Sequence, residues 1–166
     1  MELELKHSGD EELIENILKF SGKIMFGVPE ETANLRSKDG KASINNAQIL
    51  AIMEAGSPVK NIPSRKLLEP VVIRHIDKIR EIFNQIYDAL VAGEESKVDK
   101  LMETLAQRME MWTKSFFRED NGWDPNTKST QHAKNRRAGK PLDSPVTPLI
   151  DTGSLRSSIR GIYIKK

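Results

Sequence analysis

The sequence predicts an α+β fold in which a small, mostly antiparallel sheet packs against a long antiparallel helical hairpin. Three observations carry that expectation. Val72, Ile76, Ile79, Phe83, Ile86 and Leu90 are spaced 4-3-4-3-4, and Val98, Met102, Leu105, Met109, Trp112 and Phe116 repeat the same spacing. Two helical seams of equal length follow from this periodicity. The segment between them, Val91 to Lys97, is short and holds a Gly, so the two helices turn back on each other. Near the C-terminus, Ser158-Ile159-Arg160-Gly161-Ile162-Tyr163-Ile164 alternates apolar and polar residues at period two, the pattern of a half-buried strand.

The elements follow in order. Leu3 and Leu5 alternate with Glu4 and Lys6 in a short first strand, and Ser8-Gly9-Asp10-Glu11-Glu12 offers a cap and early acids for a helix with Leu13, Ile14, Ile17 and Leu18 on one face. Ser21-Gly22 ends it, and Lys23–Val28 resumes as a strand until Pro29 stops the ladder. Residues 29–46 are mostly polar, with a turn at Lys38-Asp39-Gly40-Lys41, and read as a surface loop. Asn45 or Asn46 caps a short helix through Met53, after which Pro58, Pro63 and Pro70 make the chain stiff and extended. The hairpin occupies 71–118, its second helix started by Ser96 with Asp99. Val71, Ile73, Ile82, Leu101 and Met111, off the seams, are left to cover the sheet or a neighbouring subunit. From 119 the chain holds a turn around Trp123, a basic loop, a Pro-rich stretch (Pro141, Pro145, Pro148) and the last strand.

At 166 residues the chain fits one domain, 1–166, built from the parts 1–70, 71–118 and 119–166. It has no cysteine, which excludes disulfides and thiolate metal sites. It also lacks an apolar run long enough to span a bilayer and a signal-peptide start, so no membrane partner is expected. The net charge of +2 is unevenly distributed. Residues 121–166 carry nine Lys or Arg against three Asp, an excess of six, so the first 120 residues carry −4. Lys128, Lys134, Arg136, Arg137 and Lys140 supply most of that excess without one acid among them, in a run that reads as a solvated loop or as a face for phosphate or an acidic partner.

Catalytic chemistry finds little support. His7, His75 and His132 lie in three different segments, with His75 expected on a helix surface, and no nucleotide-binding Gly array is present. Asp151-Thr152-Gly153 has the form of an aspartic-protease loop, but that chemistry needs two carboxylates sharing a proton and the sequence has no second such triplet. The same residues serve as a corner, since Gly153 takes positive φ at little cost and Asp151 or Thr152 can fold an oxygen back onto the following N–H groups. Trp123, between Gly122 and Asp124-Pro125, reads as an anchor pinning a loop to the core. Arg65 is the strongest multidentate donor of its segment, for a salt bridge to Glu54 or Glu69 or for a contact between subunits.

Three segments carry a resemblance. Pro148-Leu149-Ile150-Asp151-Thr152-Gly153-Ser154-Leu155-Arg156-Ser157-Ser158-Ile159-Arg160 contains the pattern (L/V)-x-D-T-G-x-L-R-x-S-I from Leu149 to Ile159. Gly122-Trp123-Asp124-Pro125 matches G-W-x-P. Met53 to Pro70 contains Gly56, Ile62-Pro63-Ser64-Arg65-Lys66-Leu67-Leu68-Glu69-Pro70 in the pattern (I/M)-P-x-R-x-(F/L)-L-x-P. Together they resemble the tail-completion and virion-morphogenesis proteins, including minor tail and head–tail joining proteins, of tailed bacteriophages and prophages.

The resemblance implies a structural virion protein at the neck or head-proximal tail end, in the host cytoplasm during assembly. It implies a ring-like homo-oligomer in contact with neighbouring neck or tail proteins, with no catalysis and no cofactor. Arg65, Leu67, Leu68, Trp123, Asp151, Thr152, Gly153, Leu155 and Arg156 are the residues expected to make its structural or interface contacts. The loop 128–140 would face lumenal DNA or meet an acidic partner ring. The chain departs from the family in motif order, which is permuted, in Leu67 standing where an aromatic is usual, and in Met53-Glu54-Ala55-Gly56 leading in. The alternative function is a nucleic-acid-binding accessory protein that uses the same basic loop.

Overall fold

The computed structural model describes residues 14–15, 17–18, 20–33, 44–119, 121–150 and 153–165. The expected strand Leu3–Lys6, the turn Lys38–Lys41 and the corner residues Asp151 and Thr152 lie outside them. Helical residues Ile14, Glu15, Ile17 and Leu18 lead into β1 (Gly22–Gly27), followed by α1 (Glu30–Ala33), α2 (Asn46–Ala55), α3 (Leu68–Arg74), α4 (Ile76–Val91), α5 (Glu95–Phe116), α6 (Lys128–Arg137), α7 (Ser154–Ser158) and β2 (Arg160–Lys165). The fold is α+β, with a two-stranded antiparallel sheet on a helical hairpin.

The hairpin is α4 and α5, and α5 is its long arm, about 33 Å for its 22 residues. Every residue of its expected seam, Val98, Met102, Leu105, Met109, Trp112 and Phe116, is buried. The partner seam keeps Ile86 buried, with Val72, Ile79 and Leu90 packed on the core, but its centre moves one residue earlier at 71, 82 and 89. Val71, Ile82, Ile86 and Ala89 are buried, while Phe83 is 49 % exposed. The apolar stripe is two residues wide at 71/72, 82/83 and 89/90, so composition allows either centre and packing on α5 selects the earlier one. The helix is also interrupted at His75 (φ −111°, ψ 14°), which divides α3 from α4. His75 is half-buried and stacks on Trp112, with centroids 4.2 Å apart and planes at 13°. It is therefore an aromatic partner in the core boundary, not the helix-surface residue expected. Of the residues left over from the seams, Val71 and Ile82 enter the core, whereas Ile73 and Met111 remain exposed. The second arm begins at Glu95 with Glu94 before it, so Ser96 lies in the first turn and is not the cap.

The sheet lies across α5. β1 and β2 pair from Gly22↔Lys165 to Gly27↔Arg160. Ile24, Phe26 and Tyr163 pack on the core, while Lys23 and Met25 face outward as period-two alternation requires. β2 starts at Arg160 because Ser154–Ser158 forms α7, two residues beyond the expected strand start at Ser158. Gly161 lets the strand backbone approach the backbone of α5 at Ala106, and its N–H donates to Glu110 Oε2 at 3.0 Å. At the far end of the strand Tyr163 and Lys165 both donate to Asp99, at 2.8 and 2.7 Å.

Two local expectations are corrected. Residues Glu30–Ala33 of the expected surface loop form α1, and Thr32 Oγ1 donates to the Ser158 carbonyl at 2.6 Å. The segment after α2 is not extended throughout: Gly56 (φ 71°) closes the helix, a 3-10 turn spans Pro58–Lys60, and Ser57 bridges Ile62. Ile14, Ile17 and Leu18, which share one helix face, are exposed. The helix at α2 is as expected and carries a full capping box, with Gln48 N–H donating to Asn45 Oδ1 and Asn45 N–H to Gln48 Oε1, both at 2.9 Å.

Candidate functional site

The three motif segments meet in space. Arg65 is only 8 % exposed, and its Nε and Nη2 donate to the Asp124 carbonyl at 3.2 and 3.0 Å, with Nη2 also reaching the Pro125 carbonyl at 3.3 Å. Neither expected acid partners it. Glu54 instead caps α3, its Oε1 accepting from Leu67 N–H at 2.7 Å and Leu68 N–H at 2.9 Å, and Glu69 pairs with Lys66. A guanidinium is suited to this role because its planar fork meets two carbonyls of a turn at once.

Trp123 completes the junction. Its ring sits edge-on to Phe116 and Phe117, at 5.7 and 5.8 Å between centroids, and Nε1–H donates to the Lys66 carbonyl at 2.9 Å. The indole thus pins the 121–127 loop to the hairpin and to the segment of Arg65. Leu67 and Leu155 are buried in the core, Leu68 is half-buried, and Arg156 Nε donates to the Lys114 carbonyl at 2.8 Å. These side chains bind the chain to itself. Gly153, in the left-handed region at φ 78°, precedes α7 as the corner reading requires.

The basic run is the largest correction at the site. Lys128–Arg137 is the helix α6, not a loop, and Thr127 caps it by accepting from Thr130 N–H. Its inward face is polar. Gln131 Nε2 donates to the Ser144 carbonyl at 3.0 Å, the buried Asn135 Nδ2 to the Leu142 and Ser144 carbonyls at 2.7 and 2.8 Å, and Lys134 Nζ to the Thr147 and Ile150 carbonyls at 3.0 and 2.7 Å. α6 therefore holds the Pro-rich stretch in place by hydrogen bonds to carbonyls that prolines and loop geometry leave unpaired. Lys128, Arg136, Arg137 and Lys140 are exposed, while Lys134 is half-buried. A sequence signal for this helix existed in Thr127 before the run, its cations in the last turn and Gly139 after it.

Between these segments lies a cleft of about 430 Å³. α2 contributes Asn46, Ile49 and Met53, the turn after it Asn61, Ile62 and Pro63, and α6 with its cap Thr127, Thr130, Lys134 and Arg137. Arg65, Asn126, Leu149 and Gly153 to Leu155 close it. The described lining holds three cations and no acid. The sequence marked Asn46 only as a possible cap of α2. It is buried at the N-terminus of α2, and its Nδ2 bridges the hydroxyls of Ser154 and Ser158, which ties α2 to α7. Its Oδ1 has no hydrogen-bond partner among the described residues.

Among the described residues, no group of three His, Asp or Glu side chains is placed to hold a metal ion. No described helix is long and apolar enough to cross a membrane. The fold and site define an α+β protein whose three sequence motifs converge on one cleft beside a basic helix. Comparison of the chain with family models, with curated proteins and with solved structures finds no match.

Proposed function

We propose that the chain is a structural component of a tailed-phage or prophage particle that joins head to tail or completes the tail through ring-forming contacts between subunits. The convergence of the three motif segments is the observation that carries the reading. Residues 53–70, 122–130 and 148–162 are far apart in the chain, yet Arg65 and Trp123 bond the first two and all three line the same cleft. Motifs that arose by chance along the sequence have no reason to assemble into one site. Several of them serve rigidity here, since Arg65, Trp123 and Arg156 each fasten a loop or helix end to a backbone carbonyl elsewhere. A rigid subunit suits a role in which contacts, and not chemistry, are the product. Gold-labelled antibody against the chain, applied to purified particles, should mark the head–tail joint. Label confined to the capsid, or absent from particles, would overturn the reading.

A second reading, nucleic-acid binding, has the exposed cations of α6 in its favour. Salt separates the two. Phosphate binding weakens steeply with ionic strength, and a duplex-DNA affinity that falls several-fold between low and physiological salt would support it. An interface between rings built on apolar surface does not respond in this way.

A further inference from the structure

We propose that the cleft takes an extended peptide segment of a neighbouring protein in which an acidic residue adjoins an apolar one. Arg65 carries the inference. It is more than nine-tenths buried, and the Asp124 and Pro125 carbonyls occupy its Nε and Nη2. No carboxylate pairs with it among the described residues, and its Nη1 has no hydrogen-bond acceptor there. A buried cation held by neutral dipoles alone is under-compensated, and a ligand carboxylate at Nη1 would supply the missing charge.

The rest of the cleft fits the remainder of such a segment. Ile49, Met53, Ile62 and Leu155 give an apolar floor, where a leucine-sized side chain leaves water. A peptide offers both complements, a carboxylate for the guanidinium and an apolar side chain for the floor, whereas a phosphodiester backbone offers only the anion. Among the described residues the lining holds no aromatic side chain on which a base would stack. Charge points the same way through Arg65, whose partners there are carbonyls alone. This deepens the assembly reading, on which the source of the segment rests, but binding by the purified chain is measured apart from any particle.

The probe is fluorescently labelled acetyl-Glu-Leu-Glu-Leu amide, titrated against the full-length protein by fluorescence anisotropy. Saturable binding is expected. The Gln-Leu-Gln-Leu and Glu-Ser-Glu-Ser analogues should each bind about tenfold more weakly, a loss of one charge-assisted bond or of apolar burial. Arg65→Lys should weaken the first peptide by a similar factor. If that variant misfolds by circular dichroism, Met53→Lys on the cleft floor is the second variant, with the same expected loss. Absence of saturation up to about 1 mM, a floor for recognisable affinity, would overturn the proposal. So would equal affinity for the Gln analogue, or displacement of the peptide by duplex DNA.

Discussion

Gly161→Ala tests how closely the sheet is set on the hairpin. A Cβ at this position would stand 1.9 Å from the Ala106 carbonyl oxygen, 2.8 Å from its carbon and 3.2 Å from the Glu110 nitrogen. These are backbone atoms of α5, so no rotamer change relieves the clash. Ordinary carbon contacts lie at about 3.5–4.0 Å, and β2 would have to retreat by about 1.5 Å. That retreat also stretches the 3.0 Å bond from Gly161 N–H to Glu110 beyond hydrogen-bond range. Overpacking of this kind costs about 1–3 kcal/mol and the bond about 1 kcal/mol more, so about 3 kcal/mol is expected from a total of roughly 5–15 kcal/mol. For a domain of this size that is a fall in Tm of about 6–12 °C. Urea unfolding followed by far-UV circular dichroism should show a lower midpoint at unchanged slope. A variant within about 0.5 kcal/mol of the parent would refute the close approach of strand and helix.

Three further predictions follow from single contacts. Glu54→Ala removes the acceptor for two N–H groups at the start of α3 and should cost about 1–2 kcal/mol in urea unfolding, with Glu54→Gln milder. Asp99 is held below the usual carboxylate value of 3.8, first by the Lys165 ammonium and then by the Tyr163 hydroxyl, and burial followed by Asp99 pushes the Tyr163 phenol up to about 12. The lowered Asp99 contributes stability above pH 3.8 that is lost as pH falls through its folded value. The raised Tyr163 contributes below its ordinary value of 10, and that share is lost toward pH 12. Asp99→Asn should therefore be less stable than the parent at neutral pH and converge with it in acid, as read from urea midpoints across pH. His75 is lowered from 6.5 by burial and then by the charge of Lys78, so the unfolded chain takes up its proton first and stability falls as pH drops below 6.5. Its NMR titration should lie under 6.5 and return toward that value in Trp112→Leu, where the stacking surface is gone.

The hairpin was legible because apolar residues repeat at 4-3 spacing along both arms, and on α5 every position of that seam is buried even where Leu101, Ala106 or Met111 stands beside it. On α4 the neighbouring pairs Ile82/Phe83 and Ala89/Leu90 leave two choices, and the tertiary contact with α5 decided between them. α6 escaped because its inward residues, Gln131, Lys134 and Asn135, are polar and satisfied by loop carbonyls, which leaves no hydrophobic period to read. Arg65 was visible as a strong donor, but its acceptors are main-chain carbonyls 59 and 60 residues away, which no side-chain pattern marks. Asn46 carries no local signal beyond its place at the start of α2. The cleft itself is a product of convergence, so its walls could be named in the sequence without being known to face one another.

The central claim is the place of the chain in a particle. Electron microscopy of lysates from a phage or prophage carrying an early stop codon in this gene tests it most directly. The account predicts filled heads beside separate tails, or tails of abnormal length, since a missing joint leaves both halves built and unconnected. Normal, infectious particles would contradict it.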